Sequence, residues 1–210
     1  MSRTIDKLEW ASLVKTQPAA ALIPETLRLE AMQIDAPSSQ TLFRTGDPVR
    51  YVYLVISGEA RLVRWDRHGG EIILQRSRGG FVAEASLDSR KYHCDGIASE
   101  ATIILEFPAS AFRAALEYDS VFRKAWQSQL AKEVRKLRAQ CERLSLNNAA
   151  DRITHYIEAE GTDGALTLTN SRKSWAAELG LSHEALYRTL RRMQDEGLLY
   201  VDGSRIATRP

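Results

Sequence analysis

The sequence predicts an α+β chain: an N-terminal β-roll or jelly roll, one long helix, and a small C-terminal domain of short helices closed by a hairpin. Three observations carry this. Short β-type apolar runs separated by turn residues fill residues 41–107. No Gly or Pro interrupts residues 121–144. Two short amphipathic patterns of helical period then flank Gly180-Leu181-Ser182, followed by strand-like residues 198–208.

In chain order, residues 1–35 read as amphipathic helix with breaks at Pro18 and Pro24. From Thr41 the period changes to two. Thr41–Phe43, Tyr51–Ile56, Ala60–Trp65, Glu71–Leu74 and Ala101–Phe107 are strand candidates. Gly46-Asp47, Ser57-Gly58, His68-Gly69-Gly70 and Gly79-Gly80 supply the turns between them. Even spacing of many short strands points to a sandwich, barrel or jelly roll. Pro108-Ala109-Ser110 opens a helical region.

Within the long helix, Leu130, Val134, Leu137, Cys141 and Leu144 recur at spacings of 4, 3, 4 and 3. That is an a/d seam, and it fits a helix pair in a dimer or a helix packed within one chain. Lys132, Arg135, Lys136 and Arg138 lie mostly off the seam. Asn147-Asn148 reads as a hinge or cap. Ile153, Tyr156 and Ile157 mark a further helix, which Gly161-Thr162-Asp163-Gly164 ends. The predicted division is residues 1–120, a dimer helix over 121–146, and a C-terminal domain over 147–210.

The C-terminal domain carries the clearest motif. Ser171 is an N-cap for a helix with Trp175, Ala176 and Leu179 on one side. Gly180 suits a sharp turn, and Ser182 caps a second helix whose apolar side is Leu186, Leu190 and Met193. His183, Glu184, Tyr187, Arg188, Arg191 and Arg192 occupy the other side. Such a face suits a DNA major groove, or it is the solvated face of an ordinary helical hairpin. Gly197 is placed as a C′ glycine, and Leu198–Val201, Asp202-Gly203 and Arg205–Thr208 read as a wing-like hairpin.

Composition narrows the class. The chain has 210 residues, 44% hydrophobic and 27% charged, which suits two soluble domains. No apolar run is long enough for a bilayer and MSRTIDKLEW has no leader-like apolar core, so a cytoplasmic protein with no membrane partner is expected. The net charge of +2 is uneven: −2 over residues 1–122, +5 over 123–143 and −1 over 144–210. Any affinity for DNA must therefore come from local patches. The two cysteines, Cys94 and Cys141, make no disulfide framework. No nucleophile elbow, P-loop or His-x-His occurs, so neither an enzyme nor a metal site is expected.

The order of parts resembles the Crp/Fnr family of bacterial transcription regulators. The resemblance rests on Leu42-Phe43-Arg44-Thr45-Gly46-Asp47, on Tyr53–Leu62, on Gly80–Leu87 and on the helix-turn-helix. It implies a sensory β-roll of cyclic-nucleotide-binding type, a dimerisation helix and a winged helix-turn-helix. It also implies a homodimer on an inverted repeat of double-stranded DNA, with RNA polymerase as a further partner.

The sensory cassette departs from the family pattern. The family's Gly-Glu-Leu element stands here as Ala83-Glu84-Ala85, so Glu84 alone matches. The family's Arg-Ser/Thr-Ala element falls near Tyr92-His93-Cys94, where no arginine stands. Without it a cyclic phosphate lacks its charge-assisted partner, and loss of cyclic-nucleotide binding is expected. Arg90 or Lys91 substitutes if the loop register slips. The candidate effector pocket is therefore Glu84, Arg90, Tyr92, His93 and Cys94. Two cysteines exclude the four-cysteine iron–sulfur site of the Fnr branch. Haem on Tyr92, His93 or Cys94, or a redox response, is an alternative within the family. A cyclic-nucleotide-binding module without DNA binding is another.

The family's Arg-Glu-x-x-x-Arg readout pattern stands here as His183-Glu184-Ala185-Leu186-Tyr187-Arg188. The implied base readers are His183, Glu184, Tyr187 and Arg188, with Glu184 accepting from cytosine N4 and Arg188 donating to guanine O6 and N7. Histidine in place of arginine predicts altered preference at one base pair. Ser171, Ser182, Arg191, Arg192 and the wing's Arg205 are the phosphate candidates.

Overall fold

Period-two alternation in the first half and helical periodicity in the second govern the element order of the structure, a computed structural model that describes residues 2–168 and 171–209. The chain divides into two compact units, residues 1–128 and 129–210.

The first unit begins with β1 (Ser2–Thr4), α1 (Lys7–Thr16), α2 (Pro18–Ala21), α3 (Glu25–Arg28) and β2 (Met32–Ala36). Helix α1 starts with a capping box, in which the Glu9 amide donates to Asp6 Oδ1 and the Asp6 amide to Glu9 Oε2. The strands then run β3 (Thr41–Phe43), β4 (Tyr51–Ser57), β5 (Ala60–Trp65), β6 (Glu71–Ser77) and β7 (Gly80–Val82). A single 3₁₀ turn over Glu84–Ser86 leads to β8 (Asp95–Ala98), β9 (Thr102–Pro108) and α4 (Ala109–Tyr118). Helix α5 (Ser120–Ser145) starts in this unit and ends in the next.

Two antiparallel sheets result, ordered β1-β2-β9-β4-β7 and β3-β8-β5-β6. Their facing sides share one core: Tyr53, Val55, Val82 and Ile104 from the first meet Phe43, Ala60, Leu62 and Ala98 from the second. Strand β4 is buried on both faces, which is why Tyr51–Ile56 is an unbroken apolar run. The opposite side of the five-stranded sheet is roofed by aromatics. Phe112 meets Phe81, Phe107, Phe122 and Trp126 edge-on at 4.8–6.2 Å. Each such ring contributes about 1.5–3 kcal/mol by burial. Strand β6 lies at a sheet edge, and Trp65, Ile72, Ile73 and Leu74 around it are exposed.

The helical reading of residues 1–35 is corrected at both ends. Met32–Ala36 is a strand because it alternates and pairs with the buried β9, Ile34 opposite Ile104. Strand β1 then adds to β2. Five residues are too few for helical and strand periods to separate when the segment before them is helical. Strands β7 and β8 also stand where only turns and a pocket were anticipated.

The second unit contains α6 (Ala149–Glu160), β10 (Ala165–Thr167), α7 (Arg172–Glu178), α8 (His183–Asp195), β11 (Leu199–Asp202) and β12 (Arg205–Thr208). Asn148 caps α6, its side chain accepting from the Asp151 amide at 2.8 Å. Ile153, Ile157, Trp175, Leu179, Leu186, Leu190, Met193, Leu199 and Ile206 form the core. The expected two-stranded wing has a third strand, since β10 pairs with β12, Leu166 opposite Ile206. Arg143, the last residue of the basic stretch 123–143, is buried, with its guanidinium 4.2 Å from the centre of the Tyr156 ring.

Candidate nucleic-acid interface

The turn between α7 and α8 is closed by its own backbone. Gly180, at φ +64°, donates to the Ala177 carbonyl, and Leu181 donates to the Ala176 carbonyl at 2.9 Å. This is a Schellman closure. One residue later the Ser182 hydroxyl accepts from the Ala185 amide at 3.1 Å and opens α8. The far end of α8 repeats the device, with Gly197 at φ +73° and Leu198 donating to Met193. Ser171 caps α7 by accepting from the Ser174 amide at 3.2 Å.

These ends fix which half of α8 faces outward. Leu186, Thr189, Leu190 and Met193 are buried, while His183, Glu184, Tyr187, Arg188, Arg191 and Arg192 are exposed. At 3.6 residues per turn the six exposed residues share one half of the helix circumference. Glu184 and Arg188 form an ion pair at 3.8 Å, with both side chains more than 70% exposed. The His183 and Tyr187 rings lie 4.7 Å apart, and Arg192 lies 3.9 Å from Glu196. Arg205 is exposed on β12. The hydroxyls of Ser171 and Ser182 use a lone pair as caps but keep a proton to donate.

Sequence reasoning passed over Arg172. Its Nη2 donates to the Gly203 carbonyl at 2.8 Å, and its guanidinium lies 5.3 Å from the centre of the Tyr187 ring. It thus joins the first turn of α7, the tip of the wing and a candidate base reader. Its place just after the Ser171 cap was the only local signal.

The five candidate effector residues differ in burial and in partners. Tyr92 and Cys94 point into the roll, and His93 between them is exposed. The Tyr92 hydroxyl is bonded to both backbone polar groups of Tyr51. His93 Nδ1 lies 2.8 Å from Ser86 Oγ, Arg90 is exposed, and Glu84 opens the 3₁₀ turn. Burial pushes the Cys94 thiol up, away from the thiolate that a metal or an oxidant needs. Among the described residues no group of His, Cys, Asp and Glu is arranged to hold a metal ion. Among them, too, no helix is long and apolar enough to cross a membrane.

On the part of α5 within the second unit, Val134, Leu137 and Leu144 are 44–50% exposed. Cys141 is exposed and Leu130 is half-buried.

Comparison with known proteins accounts for this arrangement. Residues 33–119 match the cyclic nucleotide-binding domain family. The CRP-like protein Clp of Xanthomonas campestris pv. campestris is 28% identical across 81% of this chain and 80% of its own length. FixK2 from Bradyrhizobium japonicum superposes over 86% of this chain and 93% of its own, with TM-score 0.63 and 20% identity. A structure of the c-di-GMP responsive global regulator CLP of Xanthomonas campestris does so over 86% and 95%, with TM-score 0.56 and 23% identity. The chain is thus similar to a CRP-like protein, and it shares the fold of these solved structures.

This likeness to a CRP-like protein spans about four-fifths of the chain. It also sharpens the departure in the cassette. Ala83 stands where the Crp/Fnr pattern has glycine, and it keeps a left-handed conformation, φ +70° and ψ 8°. Holding an alanine there costs about 1 kcal/mol.

Proposed function

We propose that the chain is a sequence-specific DNA-binding regulator that acts as a homodimer on an inverted repeat, with half-sites about one helical turn, roughly 34 Å, apart. The observation that carries this is the outward half of α8. A single capped helix offers a carboxylate, a histidine, a tyrosine and three arginines on one side, and its other side is locked into the domain core. Glu184 and Arg188 would read bases, and Arg191, Arg192, Arg205 and the two capping serines would position phosphates. The exposed Val134, Leu137, Cys141 and Leu144 on α5 support pairing with a second copy.

The sensory site, on this reading, does not take a cyclic mononucleotide in the family's manner. Tyr92 and Cys94 are committed to the core, and Arg90 projects into solvent. The divergent placement of Tyr92, His93 and Cys94 likewise disfavours haem.

Selection from randomised duplex DNA tests the reading. A palindromic consensus bound by the wild type, with discrimination at one base pair lost in Arg188→Ala, is expected. Recovery of no consensus overturns it and favours the module without DNA binding. Thermal shift with cyclic AMP and with c-di-GMP, the latter named for the Xanthomonas relative, tests the sensory part. Stabilisation by cyclic AMP that Glu84→Ala abolishes would overturn it.

A further inference from the structure

A cleft of about 370 Å³ lies in the first unit beside β3, β4 and β9. Of the five cassette candidates only Tyr92 reaches it. Its walls are aromatic. Phe43 stacks on Tyr92 at 4.2 Å and on Tyr53 at 5.4 Å, and Tyr51 tilts against Tyr53 at 6.2 Å. Phe43 holds this place because Gly96 pairs with it across the strands, where any side chain would strike the ring.

The wall carries a half-buried carboxylate that the fold does not use. Glu106 sits opposite Tyr53 in the β4–β9 register, so both side chains leave the same face of the sheet. Its carboxylate is half-buried, lines the cleft, and has no hydrogen bond or ion pair among the described residues. The Tyr92 hydroxyl, by contrast, is taken up by Tyr51. Burial pushes the Glu106 carboxyl above its ordinary range, the mark of a group deprived of water without compensation. Asp47 is a second acid in the lining and Arg50 the only base, so the cleft is acidic on balance.

We propose that this cleft is a binding site for an organic amine, whose ammonium group meets Glu106 and whose apolar or aromatic body lies against Tyr51 and Tyr53. An ammonium supplies the carboxylate with a charge-assisted partner, and aromatic walls favour a cation over an anion. The volume is at the small end of ligand pockets, roughly 300–1,000 Å³. A phosphate or carboxylate ligand would face Glu106 and Asp47 with like charge. The site thus differs in place and in ligand charge from the cassette at Glu84. It is independent of the DNA-binding reading, because occupancy is measured without DNA.

Calorimetric titration of the full-length protein tests it. Phenethylamine is one probe, tryptamine a bulkier amine, and 3-phenylpropionate an anion of similar shape. Saturable binding of at least one amine and none of the acid is expected. Glu106→Gln should weaken amine binding at least tenfold and Tyr51→Leu several-fold, with circular dichroism confirming the fold of each. If Glu106→Gln fails to fold, the Tyr51→Leu result and the amine-against-acid contrast decide. Binding of neither amine, equal binding of the acid, or amine binding indifferent to the variants overturns the site.

Discussion

Arg172 Nη2 donates to the carbonyl of Gly203 at 2.8 Å, so one side chain spans from the start of α7 to the tip of the wing. The same guanidinium lies over Tyr187. Arg172→Ala should therefore loosen the wing and Tyr187 together while costing only about 1 kcal/mol in stability, since the bond is exposed. Hydrogen exchange over residues 199–208 should quicken. Affinity for the selected DNA site should fall, and Arg172→Lys should restore part of the charge effect but not the protection.

Arg188 is held near Glu184 by an exposed pair at 3.8 Å, worth about 0.3–0.5 kcal/mol to the helix. Opening it to reach bases is therefore cheap. Arg188→Ala should leave the melting temperature nearly unchanged and cost about 1–3 kcal/mol at one base pair of the site. Equal loss on every sequence, in competition assays against single-base variants, would assign Arg188 to phosphate contact instead.

Arg152 should matter more for stability. From α6 it donates to the carbonyls of Leu146 at 2.9 Å and Leu179 at 3.1 Å, groups left over at helix ends. Arg152→Ala strands both, and we expect a loss of about 2–3 kcal/mol in the second unit. Thermal melts should show a drop of several degrees per kcal/mol, with partial recovery in Arg152→Lys.

Two carboxylates should tilt the pH profile in opposite directions. Glu106 binds its proton more tightly folded than unfolded, because burial raises it. Its effect on stability is absent at low pH and becomes a loss as pH rises through its folded value. Glu106→Gln should therefore be more stable than wild type at neutral pH, and the gain should vanish in acid. Burial also acts to raise Asp95, but hydrogen bonds from the Thr45 amide, the Trp65 indole and the Thr45 hydroxyl outweigh it and hold the group low. Its contribution is present at neutral pH and is lost as pH falls through its folded value. Asp95→Asn should flatten the acid limb in denaturant titrations across the acidic range.

Leu137, 50% exposed on α5, gives the test of self-association. If the proposed dimer pairs through α5, Leu137→Glu should leave the fold intact and give a monomer in sedimentation. An unchanged mass would move the interface elsewhere.

Much of the helix-turn-helix was legible because its signals are local. Ser171, Gly180, Ser182 and Gly197 each act within one turn of their own position, and all four take the roles their chemistry suggests. The long helix was legible from uninterrupted helical sequence. Strand β2 was not, since its partner β9 lies far along the chain and pairing decided its state. Arg172 was missed for the same kind of reason, its partners Tyr187 and Gly203 being set by tertiary packing. The amine cleft was invisible too: Phe43, Tyr53, Tyr92 and Glu106 meet only through strand register.

Strand β6 bears on how the protein behaves in the tube. Among the described residues no strand pairs with one of its edges, and Ile72, Ile73 and Leu74 offer greasy side chains along it, with Trp65 close by. Such a rim templates pairing with a stray strand from another molecule. Concentrated stocks should therefore scatter light and lose material over days while remaining fully folded. A lysine at residue 73 should lengthen their shelf life more than any change in the core.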